Sequence, residues 1–266
     1  MIRVILGLAL AAAFVTGAAH AQDDDLQKQV EAVERLGREL NDHDQSAWHV
    51  TDELMRLAPE ARNLPIAYIT ERVDLEHVRT VFLIMDGEPP SVLFTGVVKG
   101  SEVVSTEDFR KRADPVHATE AQAAQLNAAL AVRQATRSGL CGKPVNTVVL
   151  PGAADGEFDV YALASETEQN VVQMGGHIRL TIGADGQMVE NSLREYSASC
   201  IAMRKSANSV GLMITLPPAI SDIPTEIHVF KSLSHDTPIF VGTGGRVWEV
   251  ADGRIRLTPP APARAN

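Results

Sequence analysis

The sequence predicts an α+β fold, with N-terminal helices and a small antiparallel sheet followed by a helix and a mainly antiparallel sheet domain. Three observations predict this class. Apolar residues recur at helical spacing in two segments, they alternate with a period of two in most others, and short turns rich in Gly, Pro and Asp separate the strand candidates. The chain has 266 residues, 45% of them hydrophobic, which is enough for a substantial core.

The first region predicts two helices and then three strands. An amphipathic helix is indicated by apolar residues spaced four, three, three and four apart, namely Leu26, Val30, Val33, Leu36 and Leu40. A second helix is predicted over Ser46–Leu57, before Pro59 and Pro65. Strands follow at Ile66–Val73, Val78–Met85 and Ser91–Val98, and the last two flank a hairpin loop at 86–90.

The second region begins with a predicted capping box. Thr119 and Gln122 have the spacing of this motif, an Ala-rich helix follows through Ala135, and Gly139 is placed to end it. Strand patterns then occupy 145–150, 157–164, 177–182, 210–216, 239–242, 247–250 and 255–257. The predicted organisation is therefore a signal peptide at 1–21, a helical segment with a small sheet at 22–114, an α+β domain at 115–258 and a disordered tail at 259–266.

The first 21 residues have the pattern of an export signal. Arg3 precedes the apolar stretch Val4–Val15, and Ala19-His20-Ala21 is a small-x-small cleavage pattern. We expect cleavage after Ala21, a periplasmic or secreted protein, and no transmembrane span after cleavage. Since Arg3 is the only charged side chain in 1–21, cleavage shifts the net charge from −10 to −11, which disfavours nucleic acid as a partner.

The two cysteines, Cys141 and Cys200, predict a disulfide bond. An exported pair usually closes, and this bridge would stabilise the fold by about 4 kcal/mol in the chain-entropy model. Two alternatives stay open at this point, which are a pair of buried free thiols and a nucleophilic Cys200 beside His177.

Motifs for serine hydrolysis and for nucleotide or dinucleotide binding are absent from the sequence, so no cofactor is predicted. The weak candidates for a metal site are Glu226, His228, His235 and His177. If 226–230 were a strand, Glu226 and His228 would share one face, and His235 or His177 could add a third zinc ligand. The alternative is a surface strand with ordinary hydrogen bonds.

Two other polar clusters are expected to be solvated. His43 and His49 lie near Asp42 and Asp44 in a predicted polar helix connection, and the alternative is that this cluster ligates a metal. The carboxylates of Asp155, Glu157, Glu166 and Glu168 would suit a glycosidase only if two of them faced each other across a cleft. Charge excess by itself predicts solvated faces for them.

Residues 144–255 resemble a family of exported proteobacterial proteins for which no activity is established. The matching segments are PVN and VLP at 144–151, FDVYAL at 158–163, GGHIRL at 175–180, PTEIHVF at 224–230 and PIFVGTGGRVWEV at 238–250. This resemblance implies only an envelope location.

Residues 211–250 also resemble the second half of a JAB/MPN metalloprotease domain. That family binds zinc through H-x-H-P and, seven residues later, S-x-x-D. The matching positions here hold Ile214, Leu216, Pro217, Thr225 and His228, so the resemblance implies a degenerate domain that lacks the zinc-binding histidines.

With no complete catalytic motif, the sequence favours a non-catalytic protein that binds an unknown protein or small-molecule partner in the envelope. The alternatives are a metal-assisted hydrolase and a carrier of a small ligand with an apolar pocket.

Overall fold

The structure is a computed structural model that describes residues 9–85, 87–137, 139–197, 199–206 and 208–259, with side chains from Asp24 onward. Within this part of the chain the predicted α+β class is confirmed. The helices are α1 (Ala9–Leu57), α2 (Glu120–Ala135) and α3 (Glu226–Ser234), with short 3-10 helices at Pro59–Asn63 and Phe109–Lys111. The strands are β1 (Ile66–Arg72), β2 (His77–Ile84), β3 (Ser91–Lys99), β4 (Glu102–Asp108), β5 (Val145–Pro151), β6 (Phe158–Ala164), β7 (Val171–Gln173), β8 (Ile178–Ile182), β9 (Arg194–Glu195), β10 (Ala202–Arg204), β11 (Leu212–Thr215), β12 (Ile239–Thr243), β13 (Arg246–Ala251) and β14 (Arg254–Leu257).

The strands form three four-stranded sheets and one small pair, β10-β7. The first sheet has the order β1-β2-β3-β4, the second β5-β6-β8-β9 and the third β11-β12-β13-β14. All pairings are antiparallel except β11 with β12, which is parallel because α3 connects these two strands. Helix α2 contacts strands of both the first and second sheets. Helix α1 contacts the first sheet, helix α3 and strand β14 at the edge of the third sheet.

Helix α1 is continuous where the sequence predicts two helices. The prediction of a solvated connection near His43 is wrong, because His43 is buried against β1 and its Nδ1 lies 2.7 Å from Thr70 Oγ1. Arg72 at the end of the same strand donates to Asp42 at 2.8 Å. The strand therefore supplies polar partners for the polar stretch of the helix.

The prediction of an export signal falls partly outside the described residues, which begin at Ala9 in α1. The described core contacts of this helix begin at Leu26. Cleavage after Ala21 would therefore leave those contacts in place.

None of the described helices has a stretch that is both long and apolar enough to cross a membrane. The predicted disordered tail at 259–266 lies outside the described residues from 260 onward.

The capping box of α2 and the disulfide bond are both confirmed. Gln122 N donates to Thr119 Oγ1 at 3.2 Å, and Thr119 N donates to Gln122 Oε1 at 3.0 Å. The helix ends at Ala135, and Gly139 follows at a positive φ of 78°. Cys141 and Cys200 are joined, with their Cα atoms 5.5 Å apart, so neither is a free nucleophile.

Helices α1 and α3 cross in close contact at Gly37. A Cβ atom at this position would overlap the Val229 side chain and lie 2.8 Å from the carbonyl oxygen of Glu226. A glycine is therefore needed here for the two helices to pack. The crossing places α3 beneath α1, where its polar side chains are removed from solvent.

The strand that the metal site would require at 226–230 is not formed, because Glu226–Ser234 is helix α3. Ile227 and Val229 alternate with polar residues, which imitates a strand, but Phe230 and Leu233 continue an apolar face at spacings of three and four. The start of the helix is stabilised when Thr225 N donates to His228 Nδ1 at 3.0 Å. Glu226 and His228 therefore do not share one face in the way that a strand would require.

Candidate functional site

Helix α3 is buried although much of it is polar. Its buried polar side chains are Glu226, His228, Lys231 and Ser232. Burying ionisable groups is costly unless each has partners, so such a helix implies a polar network built by the rest of the fold. That network has two ends, one at Glu226 and the other at Lys231.

The end at Glu226 lies over a row of side chains on the second sheet. Tyr161 in β6 is the register partner of Arg179 in β8, and Arg179 is the partner of Arg194 in β9. Residues that are directly opposite each other project from the same face of a sheet. Tyr196 follows Arg194 by two residues in the chain and stacks on Tyr161, with ring centroids 6.2 Å apart.

The carboxylate of Glu226 contacts three side chains of this row. Its Oε1 accepts from Tyr196 Oη at 2.5 Å and from Tyr161 Oη at 3.3 Å, and Arg194 Nη1 lies 3.5 Å away. Glu226 is also the first residue of α3, where the helix dipole favours a negative charge. Burial, followed by the charge of Glu226, raises the pKa of both tyrosines, so the phenols stay protonated and act as donors.

Two polar atoms of this cluster have no hydrogen-bond partner among the described residues. They are the acceptor Glu226 Oε2 and the donor Arg179 Nε, and both are buried. Such an atom costs about 1–3 kcal/mol when it is left unpaired. The cluster therefore carries more hydrogen-bonding capacity than its own residues use.

Arg194 connects the buried cluster with the surface. Its guanidinium lies 4.9 Å from the centroid of the Tyr196 ring, and 36% of its side chain is exposed. It lines an open recess of about 420 Å³, which we call the Arg194 recess. The other lining residues are Leu193, Glu195, Ser197, Ala219 and Ile220. This recess thus offers a held cation, a carboxylate, a hydroxyl and an apolar wall.

The other end of the network is an ion pair between the buried Lys231 and the partly exposed Glu166. Lys231 Nζ donates to Glu166 Oε1 at 2.8 Å, and His235 Nε2 lies 2.9 Å from the same oxygen. Burial by itself raises the pKa of Glu166, but the contacts with His235 and Lys231 outweigh it and lower the pKa to about 2. Glu166 keeps part of its side chain in solvent, as the sequence predicts, but it also pairs with Lys231, which is buried.

Asp44 on α1 faces this ion pair. Burial raises the pKa of Asp44 to about 6, Lys231 opposes the shift and Glu166 reinforces it. Asp44 thus differs from Glu39 on the same helix, whose pKa falls to about 2 because contacts with His43 and Arg72 outweigh the opposite effect of burial.

The four predicted metal ligands lie in four separate contacts. His177 Nδ1 accepts from Ala164 N at 3.2 Å and its Nε2 lies 2.7 Å from the Gln173 carbonyl oxygen. Burial lowers the pKa of His177 to about 3 and that of His228 to about 4, so both rings are neutral. His228 accepts a hydrogen bond from Thr225 N at the start of α3, His235 contacts Glu166, and Glu226 contacts Tyr161 and Tyr196. In the described part of the chain no three His, Cys, Asp or Glu side chains are grouped to hold a metal ion.

The sequence pointed to Glu226 but missed its partners. Tyr161, Arg194 and Tyr196 each stand in short strands or loops with no motif around them. The apolar run around Tyr161 predicts a buried strand, but it does not identify which side chains of other elements contact Tyr161.

Comparison with known proteins adds no relative. No family model, no curated protein and no solved structure matches the chain. The resemblances of residues 144–255 and 211–250 to known families stay predictions.

Proposed function

We propose that this protein is an exported binding module, located in the periplasm or secreted, that holds a peptide-like ligand in the Arg194 recess. The observation that carries the proposal is the arrangement of Arg194. Its guanidinium contacts Glu226 and the Tyr196 ring, and Arg194 also lines the recess.

A fixed arginine is well suited to recognise a carboxylate. Its planar guanidinium can donate two parallel hydrogen bonds, and a side chain that is already ordered loses little entropy when a ligand binds. A carboxylate in the recess would share Arg194 with the buried Glu226 without displacing it.

The remainder of the recess suits the rest of such a ligand. Glu195 and Ser197 can accept hydrogen bonds from amide or ammonium groups, whereas Leu193 and Ile220 provide apolar contact. This mixture favours a peptide end, in which a carboxylate, amide groups and a side chain lie close together. It does not require a catalytic group.

Export is supported by two independent features. The first 21 residues have the charge, the apolar stretch and the small-x-small pattern of a cleaved signal. The closed bond between Cys141 and Cys200 is the state that persists in oxidising compartments. Sequencing the N-terminus of the protein from each cell fraction tests export, and an uncleaved, reduced chain in the cytoplasm would contradict it.

Binding is tested with two peptide libraries that differ only at the C-terminus, one with free carboxylates and the other amidated. We expect the protein to retain peptides from the first library and to retain the amidated ones at least about tenfold less. Arg194→Gln should abolish the difference. Arg204→Gln is the control, since this exposed arginine pairs with Glu168 in the loop between β6 and β7 and is not a lining residue of the recess. Equal retention of both libraries would reject the proposal.

A further inference from the structure

A second recess, far from the first in the sequence, lies where α2 ends. It has a volume of about 460 Å³ and is lined by three cationic side chains, Arg133, Arg137 and Lys143. No aspartate or glutamate is among its described lining residues. We call it the basic recess. It stands out because the chain as a whole has 34 acidic and 24 basic residues.

Among the residues that the structure describes, no carboxylate neutralises the three cations. In the described part of the chain none of them has a carboxylate within ion-pair distance, whereas Arg110, Arg179 and Lys231 do. Lys143 Nζ donates to the neutral Thr167 Oγ1, and the Arg133 guanidinium lies 5.7 Å from the Tyr68 ring centroid. Both of these contacts orient a cation and leave its charge in place.

Holding three like charges together costs free energy. Arg133 lies in the last turn of α2 and Arg137 follows the helix end, and both line the same recess as Lys143, so their like charges repel. The helix dipole places only about half a negative charge at the C-terminus of α2, which compensates a small part of this positive charge. The recess therefore has an excess of positive charge that a bound anion would relieve.

The backbone that carries Lys143 is held firmly. Leu140 and Lys143 exchange two backbone hydrogen bonds of 3.2 and 3.0 Å, and the turn between them contains Cys141, which is bonded to Cys200. A Cβ atom at Gly139 would overlap the Lys143 carbonyl oxygen. The turn is thus closely packed and covalently anchored, so Lys143 faces α2 from a defined position.

We propose that the basic recess is a binding site for a phosphate group. Two arginines and a lysine match the charge of phosphate and supply donors in number, which a single carboxylate would not use. In the envelope such a group could come from a soluble phosphate compound or from an anionic lipid headgroup, and the chemistry of recognition is the same.

The test is titration calorimetry of the protein, with its disulfide closed, against inorganic phosphate at low ionic strength. The double variant Arg133→Gln/Arg137→Gln should bind phosphate at least about tenfold more weakly. Lys143→Gln, which leaves α2 unchanged, should weaken binding about three- to tenfold. The matched control is Arg246→Gln/Arg256→Gln, which removes the same charge from exposed positions on the third sheet and should change the Kd less than about twofold.

A second arm measures sedimentation with vesicles of phosphatidylglycerol and of phosphatidylcholine. Binding to the former that is lost in the double variant, with weak binding of free phosphate, would assign the site to a lipid headgroup. Binding of phosphate without vesicle binding would assign it to a soluble compound. The proposal is overturned if neither probe binds, or if the control variant weakens binding as much as the double variant does.

Discussion

Helices α2 and α3 both begin after a threonine whose N–H is capped, but they bury different kinds of side chain. In each, a threonine precedes the helix, and the residue three positions later reaches back to the threonine N–H, which is Gln122 in α2 and His228 in α3. Helix α2 buries only apolar side chains, whereas α3 buries Glu226, His228 and Lys231. The comparison teaches that a local capping motif starts a helix, but the elements packed around it decide which of its side chains must find polar partners.

The largest expected difference in stability between variants of the two helices comes from the ion pair of Lys231 in α3 with Glu166. Glu166→Gln leaves Lys231 buried without its counterion and should lower the free energy of unfolding by about 3 kcal/mol. The control, Glu168→Gln, removes an exposed partner of Arg204 and should cost less than about 1 kcal/mol. Urea unfolding of both variants at pH 7 measures the difference, and equal losses would show that Lys231 is solvated.

The same pair predicts a dependence on pH. Because the pKa of Glu166 is lowered to about 2, its stabilisation is complete above the pKa of the unfolded state and is lost as the pH falls from about 4.5 towards 2. The difference in stability between the wild type and Glu166→Gln should therefore shrink over this range. A difference that stays constant down to pH 2.5 would contradict this account.

The two caps should differ by a smaller amount. Thr119→Ala removes an exposed cap of α2 and should cost about 1 kcal/mol. Thr225→Ala changes a fully buried residue at the start of α3, and we expect about 2 kcal/mol because the loss includes packing. Thermal unfolding of the two variants tests the order. If Thr119→Ala proves the more costly, burial does not strengthen the α3 cap.

The smallest expected effect is a gain in stability. The pKa of Asp44 is raised to about 6, so the folded state holds this proton more tightly and loses stability as the pH rises from about 4 through 6. Asp44→Asn should stabilise the protein by about 1 kcal/mol at pH 7.5 and have no effect near pH 4. Asp42→Asn is the control, because Asp42 pairs with Arg72 and its loss should bring no gain. Unfolding in urea at both pH values measures the change.

The sequence alone determined the local features of this protein. The first three strands, the Thr119 cap and the pairing of Cys141 with Cys200 were predictable from the sequence, and all are present in the structure. Only the tertiary structure decided that α1 is continuous and that 226–234 is a helix. The partners of Glu226 and Lys231 lie 65 residues away in the chain, at Tyr161 and Glu166. No local pattern records such contacts, because they depend on how the sheet and helices pack in space.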